Sequence, residues 1–240
     1  DLKYVNQIHQ YYRYFYEHNI PVDMVSAEDT FAGYKVVAAP VLYMVKEGMK
    51  EALTAFVKQG GVLILTYMSG IVDQSDNVYL GGYPGPLRQL AGVWVEEIDA
   101  LFPDQKNQMI FADGREAECR LVCDIMHLEG AEALAVYGSD FYKDSPVVTR
   151  NTYGAGSTYY IGSDPSEEGI EMILDKVREE AGISGASGEK ARLEIVSRWN
   201  GEQEYGFLMN CSSDLCCRFQ RGLQEKKTFL QKRLLKVVKP

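Results

Sequence analysis

Hydrophobic residues in the first part of the chain alternate between helical spacing and short continuous runs. Helical spacing comes first, in Val5, Ile8, Tyr12, Phe15 and Tyr16. The pattern stops before Pro21, and proline disfavours the continuation of a helix. Two short apolar runs bounded by turn residues follow at 22–25 and 35–39, as buried strands would be. The start of the chain is therefore predicted to fold as helix, strand, strand.

A second helix and a third strand are predicted between residues 45 and 66. One helical face is apolar and consists of Met49, Leu53, Phe56 and Val57. Gly60 and Gly61 then supply the permissive backbone at which helices end, and residues 62–66 are continuously apolar. Helices and strands that alternate with short connections are typical of a parallel sheet covered by helices on both faces. The predicted fold class is α/β, with a doubly wound, mostly parallel sheet.

The pattern then changes to short extended runs. They lie at 94–98, 108–111, 120–123, 134–137, 146–149 and 157–161. Several are expected to pair antiparallel, because residues 151–156 contain the glycines of a hairpin turn between the last two runs. Ser166 and the two glutamates that follow it predict the start of a last helix, which runs through Val177. The extended runs are thus antiparallel additions to the predicted sheet.

The clearest linker is the small, flexible run Ser-Gly-Ala-Ser-Gly at residues 184–188. We therefore predict an α/β domain over residues 1–183 and a partial β-rich domain over residues 189–240. In the second domain, two strand-like runs flank Asn200-Gly201, a strong hairpin signal. Beyond them, residues 220–240 are basic and weakly helical in pattern.

Composition and charge narrow the class of protein. Hydrophobic residues make up 46% and charged residues 25% of the 240, as in folded soluble chains. The net charge is −9, although residues 218–240 hold eight Lys and Arg against one Glu, so the main body is more acidic still. Such a body repels polyanions, and the apolar runs are too short to cross a bilayer. We predict no nucleic-acid partner and no membrane partner, and we interpret the basic tail as a solvated segment.

The five cysteines are an odd number without the spacing of a disulfide framework. They favour reduced thiols, and hence a cytoplasmic protein. Cys119, Cys123 and His127 are spaced as metal ligands on a helix would be, but the segment is predicted to be extended, where four residues span about 13 Å. We therefore predict buried thiols and a surface histidine rather than a metal site. The other two histidines, His9 and His18, are predicted to lie on the first helix as surface or interface residues.

A long run of residues resembles the middle domain of family 42 β-galactosidases. It spans residues 70–88, with the unusual Gly-Gly-Tyr-Pro-Gly at its centre, and continues through residues 90–97. Residues 34–40, 60–65 and 153–162 also fit that domain, and the tail after the linker resembles the start of the family's small C-terminal β domain. The resemblance implies a fold similar to those of flavodoxin and class I glutamine amidotransferases.

The resemblance also implies a three-part subunit and a homotrimer. A (β/α)8 barrel that carries the galactoside site should precede residue 1, then the α/β domain builds the trimer, and the β domain follows. Retaining glycoside hydrolysis uses two carboxyl groups about 5 Å apart, and in this family both come from the barrel. The implied partners are therefore other copies of the chain and the barrel of the parent protein. The chain itself is expected to be inactive, with no catalytic residue, metal or cofactor.

Two other functions are compatible with parts of the sequence. A stand-alone glutamine amidotransferase-like hydrolase would need a cysteine nucleophile at a strand-to-helix elbow, yet Thr66 is followed by Tyr-Met-Ser-Gly. A sugar-binding accessory module would need a platform of aromatic side chains, yet Trp94 and Trp199 are isolated, each within a strand pattern. The leading interpretation remains a non-catalytic, oligomerising part of a β-galactosidase.

One long loop is the candidate functional site. Residues 67–86 follow a central strand at its carboxyl end, where ligands of α/β sheets usually bind, and loops this long are usually functional or disordered. Stiff and aromatic residues argue against disorder. The predicted interface or pocket-edge residues are Asp73, Asp76, Tyr79, Tyr83, Pro84 and Arg88. We expect the loop to pack on the catalytic barrel or on a neighbouring subunit; a lid within its own domain is the alternative.

Overall fold

The computed structural model describes residues 3–185, 193–199, 204–210, 230–231 and 234–238. The chain divides into two compact units. The first unit contains residues 1–11 and 25–182, and the second contains residues 12–24 and 183–240. Among the described residues, no helix is both long enough and apolar enough to span a membrane.

Four α-helices, one short 3-10 helix (Gly85–Leu87) and thirteen strands make up the described structure. The helices are α1 (Tyr4–Glu17), α2 (Met49–Lys58), α3 (Arg88–Ala91) and α4 (Glu167–Glu180). The strands of the first unit are β1 (Val36–Ala39), β2 (Val62–Thr66), β3 (Val93–Ala100), β4 (Asn107–Phe111), β5 (Glu116–Leu128), β6 (Glu132–Tyr137), β7 (Pro146–Tyr153), β8 (Gly156–Ile161) and β9 (Ser163–Pro165). Those of the second unit are β10 (Leu193–Trp199), β11 (Glu204–Asn210), β12 (Leu230–Gln231) and β13 (Leu234–Val238).

The first unit is built on one mixed sheet in the order β1-β2-β8-β7-β6-β4-β5-β3, with β9 paired to β5. Pairing is parallel between β1 and β2 and between β2 and β8. The remaining pairings in this sheet are antiparallel. The predicted α/β class and mixed sheet are confirmed. The parallel part comprises only three strands, so the antiparallel additions form the larger share of the sheet.

Helices cover both faces of the parallel part. Leu63 and Leu65 of β2 lie in one hydrophobic cluster with the buried side of α2. Successive side chains of a strand point to opposite faces, so Ile64 and its register partner Tyr159 face the other way. There the Tyr159 hydroxyl donates to the Glu180 carboxylate of α4, at 2.6 Å. Strands β2 and β8 are buried along their whole length, as two covered faces require.

Local sequence signals explain the two helices that cover this core. In α4 the Ser166 side chain accepts a hydrogen bond from the Gly169 N–H at 3.3 Å, and the two glutamates of the first turn suit the helix dipole. The buried face of α4 is Gly169, Ile170, Ile173, Leu174 and Val177. Helix α2 ends before Gly60, whose φ of 104° is accessible to glycine. Both helices were predicted from these signals.

The hairpin between β7 and β8 shows why its turn needs glycine. Tyr153 pairs with Gly156 across the turn, and Gly154 has a φ of 66°. A Cβ atom at Gly154 would lie 2.7 Å from Lys58 Cα, so the turn packs directly on the backbone at the end of α2. The hairpin predicted over residues 151–156 is confirmed.

Two predicted elements of the first 130 residues differ in the structure. Residues 22–25 form no strand and are exposed, because a short apolar run does not distinguish a buried strand from a loop. Strand β5 spans thirteen residues rather than the four predicted at 120–123. Its pairing with β9 is irregular between Arg120 and Cys123, and Leu121 has a φ of 72° there, so its alternation of apolar and polar positions is interrupted.

The described strands of the second unit form one antiparallel sheet in the order β10-β11-β13-β12. Strand β13 pairs with β11 and corrects the weakly helical interpretation of the tail, because pairing between residues distant in sequence overrides local propensity. The predicted turn Asn200-Gly201 and most of the predicted linker, from residue 186, lie outside the described residues. The domain boundary at residues 184–188 therefore stays a prediction.

Candidate interface site

The loop of residues 67–86 leaves the sheet at the carboxyl end of β2. Its first residue is still held by the sheet, because the Tyr67 N–H donates to the Ile161 carbonyl of β8 at 2.8 Å. The next residue, Met68, has a left-handed backbone with a φ of 58°. Hydrolases of the elbow type place their nucleophile in a strained turn after a strand. Met68 has the strained backbone in this turn, and a methionine thioether has no proton to lose, so Met68 cannot act as such a nucleophile.

A second segment, residues 41–45, braces the loop from the side. The Gly70 N–H donates to the Leu42 carbonyl at 2.8 Å, and the Val45 N–H donates to the Val72 carbonyl at 3.0 Å. The Ser69 hydroxyl accepts from the Leu42 N–H at 3.3 Å. The backbone of the loop is therefore tied to neighbouring structure along its first half, as expected for an ordered loop rather than a disordered one.

Asp73 organises a tight turn at the tip of the loop. Its carboxylate accepts from the Ser75 N–H at 2.8 Å and from the Asn77 N–H at 3.0 Å, and the Asn77 side chain adds a further bond at 3.3 Å. The Asn77 and Ser75 bonds lower the pKa of Asp73. Asp76 lies inside this turn, is exposed, and has a φ of 62°. Asp73 thus shapes the loop itself, and Asp76 lies at its exposed tip.

The second half of the loop folds back under the tip at two glycines. The Tyr79 hydroxyl donates to the Val45 carbonyl at 3.2 Å. A Cβ atom at Gly70 would lie 2.1 Å from the Pro84 oxygen, and one at Gly85 would lie 2.5 Å from the Gly70 oxygen. Both glycines have positive φ angles, so this close approach of backbone to backbone excludes larger side chains. Pro84 is buried, and the Tyr83–Pro84 peptide bond is cis.

Tyr83 and Arg88 connect the end of the loop to the antiparallel part of the sheet. Tyr83 exchanges two backbone hydrogen bonds with Val95 of β3, at 2.8 and 3.2 Å. Arg88, in α3, forms a two-pronged ion pair with Glu129 and donates to the Gly81 carbonyl at 3.0 Å. The Arg88 pairing lowers the pKa of Glu129 and raises that of Arg88. Arg88 therefore fixes the loop to the sheet from outside the loop.

Trp94 lies beside this connection. The Arg88 guanidinium lies 5.3 Å from the Trp94 ring centre, and His127 stacks on Trp94 with the ring centres 4.8 Å apart. His127 is exposed, as predicted, and its Nε2 lies 2.7 Å from the Glu96 carboxylate. A stack of one indole with a guanidinium and an imidazole is not the row of free aromatic faces that a sugar platform requires.

Above the braced backbone, the tip presents apolar side chains to solvent. Leu80 is 95% exposed and Val78 is 55% exposed, and Tyr43 of the bracing segment is also exposed. The ordered loop holds Leu80 away from the core, so this side chain gains no hydrophobic burial within its own unit. An exposed apolar patch on a fixed backbone is typical of a surface that another protein covers.

The burial of the cysteine and histidine side chains tests the predictions made for them. Cys119 and Cys123 are free thiols buried in β5, as predicted. His9 and His18 were predicted as surface or interface residues. His9 is exposed, whereas His18 is buried within the chain, and its Nδ1 lies 2.8 Å from the Tyr14 carbonyl one helical turn earlier. That bond at the helix end explains why a polar ring is tolerated in a buried position.

The structure brings most of the predicted site residues into one place. Asp73, Asp76, Tyr79, Tyr83 and Pro84 share the loop, and Arg88 anchors it. The sequence did not single out Leu80 and Val78, although two apolar residues within a stretch of Asp, Asn and Gly were a usable signal. It also missed Glu129, whose contact with Arg88 spans 41 residues and has no local signature.

Known proteins match the chain over most of its length. The family described as β-galactosidase trimerisation domain matches residues 1–184. β-Galactosidase BgaA of Planococcus sp. (strain 'SOS Orange') is 45% identical over 218 residues, which cover 89% of this chain and 32% of that protein. β-Galactosidase LacA of Lactobacillus acidophilus is 43% identical over 215 residues, with the same two coverages.

Solved structures agree with these relatives. The crystal structure of β-galactosidase from Bacillus circulans sp. alkalophilus superposes with a TM-score of 0.84 at 42% identity, over 87% of this chain and 32% of that one. The cold-adapted β-galactosidase from Rahnella sp. R3 superposes with a TM-score of 0.85 at 37% identity, over 89% of this chain and 33% of that one. The chain spans about a third of the length of the relatives it matches.

The match falls on the trimerisation domain and not on the catalytic barrel, as the resemblance predicted. The description of that domain implies self-association and a catalytic domain in the parent protein. With this match over more than half of its length, the chain belongs to the β-galactosidase trimerisation domain family.

Proposed function

We propose that this chain is the non-catalytic, oligomerising part of a retaining β-galactosidase, and that it assembles as a homotrimer through the loop of residues 67–86. The barrel of the parent protein would supply both catalytic carboxyl groups. The observation that carries the proposal is the tip of the loop, where Leu80 is 95% exposed on a backbone braced by residues 41–45. Burial of that side chain between subunits would stabilise the assembly by about 1.5–3 kcal/mol for each copy.

A ring of three copies uses heterologous contacts, so the loop tip of one subunit must meet a different surface of the next. The loop, the bracing segment and Arg88 would together form one half of that contact. Packing of the loop against the barrel of the parent protein is the related alternative, and a lid within the domain is the third. The free thiols Cys119 and Cys123 support a reducing, cytoplasmic location.

The three parallel strands with helices on both faces support a flavodoxin-like or glutamine amidotransferase-like core for residues 1–183. A working amidotransferase-like hydrolase is disfavoured, because Met68 stands in the turn where the nucleophile would be. The second unit would then be the start of the family's small β domain.

The substitution Leu80→Asp tests the proposed interface. A carboxylate at the centre of an apolar contact loses its hydration, so the trimer should dissociate at concentrations where the unsubstituted chain remains associated. Phe141→Asp is the matched control, since Phe141 is also exposed, at 76%, but lies in the connection between β6 and β7. Sedimentation velocity distinguishes the two variants. If Leu80→Asp associates as strongly as the unsubstituted chain, the loop is not part of the interface.

A further inference from the structure

Seven buried side-chain polar atoms of the first unit have no hydrogen-bond partner among the described residues, and three of them belong to residues on neighbouring backbone segments. These three are the hydroxyl oxygens of Tyr11 and Tyr67 and the Oδ1 atom of Asp164. The three residues are only 2%, 1% and 3% exposed, respectively. Buried polar groups in folded proteins are nearly always hydrogen-bonded, so three such atoms on neighbouring backbone segments require an explanation.

The backbone brings these three residues to the carboxyl end of the parallel strands. Tyr67 follows β2 directly, and its N–H donates to the carbonyl of the last residue of β8 at 2.8 Å. Asp164 lies in β9, which starts two residues after β8 ends. The Gln10 side chain of α1 donates to the Pro165 carbonyl of β9 at 2.7 Å, and Tyr11 is the next residue of that helix. The three side chains therefore extend from neighbouring backbone segments.

Electrostatic interactions join each pair of the three groups. Burial raises the pKa of Tyr67, and the Asp164 charge and Tyr11 add to that rise. Burial and the Asp164 charge also raise the pKa of Tyr11. Both phenols therefore keep their protons and act as hydrogen-bond donors, whereas the unpaired carboxylate oxygen can only accept.

The chemistry of this set suits one molecule of water. An internal water typically makes about three hydrogen bonds to buried polar groups that lack other partners. Here it would accept from both tyrosine hydroxyls and would donate to Asp164 Oδ1. We propose that the first unit holds an internal water molecule between Tyr11, Tyr67 and Asp164, where it links the middle of α1 to the end of β2 and to β9.

Charge argues for water rather than a cation at this position. The other carboxylate oxygen of Asp164 accepts from the Arg120 side chain at 2.9 Å, so the negative charge already has a partner. A metal cation would place a second positive charge beside Arg120 in a buried site, at a high desolvation cost.

The sign of a stability change tests the proposal. If Tyr67 binds the water, Tyr67→Phe removes a hydrogen bond and should raise the equilibrium constant of unfolding, roughly tenfold. If the hydroxyl has no partner, the same substitution removes an unsatisfied polar group and should lower that constant. Tyr11→Phe should act in the same direction as Tyr67→Phe. Tyr4→Phe is the matched control, because Tyr4 is 55% exposed on the same helix, and it should leave the constant unchanged.

Two direct measurements complete the test. Magnetic relaxation dispersion of water counts long-lived internal molecules, and each of the two buried Phe variants should show one fewer than the unsubstituted protein. A crystal structure of the unsubstituted protein should show a water within hydrogen-bond distance of the three oxygens. An unchanged count in the variants, a metal cation at this position, or direct contact between the three oxygens would overturn the proposal.

Discussion

Glu180, the last residue of α4, joins that helix to two strands of the sheet. Its carboxylate pairs with the Arg150 guanidinium of β7 through two hydrogen bonds, at 2.7 and 2.8 Å. It also accepts from the Ser157 hydroxyl at 2.7 Å and from the Tyr159 hydroxyl at 2.6 Å, both in β8. Because one carboxylate accepts four hydrogen bonds, substitution of Glu180 should lower the stability of the fold by a measurable amount.

The contribution of Glu180 to the free energy of unfolding can be worked out from its pKa. The Arg150 hydrogen bonds, followed by those of Tyr159 and Ser157, lower that pKa from 4.5 to about 2. One pKa unit corresponds to about 1.4 kcal/mol, which gives roughly 3 kcal/mol before screening. A quarter of the Glu180 side chain remains exposed, at 25%, so solvent screens part of this attraction. We expect a net contribution of about 1–2 kcal/mol to the free energy of unfolding at pH 7.

The contribution of Glu180 to stability depends on pH in a defined direction. The pKa of Glu180 is lower in the folded state than in the unfolded state, so its contribution is complete above pH 4.5 and is lost as the pH falls towards 2. Glu180→Gln keeps the size of the side chain but removes the charge. It should reduce the free energy of unfolding by about 1–2 kcal/mol at pH 7, and by roughly half as much at pH 3.

Urea unfolding followed by circular dichroism at the two pH values measures this difference. Glu179→Gln is the matched control, because Glu179 is the neighbouring exposed carboxylate and the same charge is removed. Equal losses for the two variants at pH 7, or a loss for Glu180→Gln that does not shrink at pH 3, would refute the reasoning.

Three further predictions concern the core, the hairpin and the absence of catalysis. Burial raises the pKa of Asp124 to about 8, so the stability of the protein should fall as the pH rises from about 4 to 8, and Asp124→Asn should flatten that fall in thermal melts. Gly154→Ala should cost about 2 kcal/mol or more in urea unfolding, because its Cβ meets Lys58, whereas Gly114→Ala, with open space around it, should cost about 1 kcal/mol. The purified chain should not hydrolyse a chromogenic β-galactoside above blank; turnover lost on substitution of one of its own residues would contradict this.

Elements that depend on local signals could be predicted from the sequence. The N-cap at Ser166, the apolar face of α4 and the continuous run of β2 all lie within a few residues of one another, and the structure confirms each of them. The hairpin at residues 151–156 could also be predicted from local residues, because its turn needs a positive φ at Gly154 and glycine adopts one readily.

Features that depend on distant residues could not be predicted. The length of β5 comes from pairing with β3, β4 and β9, and the tail strand β13 comes from pairing with β11. At the candidate site, the presence of the loop and its ordered character could be predicted from its residues. The bond from Arg88 to Glu129 and the exposure of Leu80 follow only from the fold, because hydrophobicity alone places a leucine inside.

Sedimentation equilibrium of the unsubstituted chain tests the central claim most directly. A trimer held by this module alone, without contacts from a barrel, should be weak and dependent on concentration. The apparent mass should therefore rise from that of one 27.0 kDa chain towards that of three as the concentration increases into the high micromolar range. A chain that stays monomeric throughout that range, or that stops at a dimer, would contradict the account.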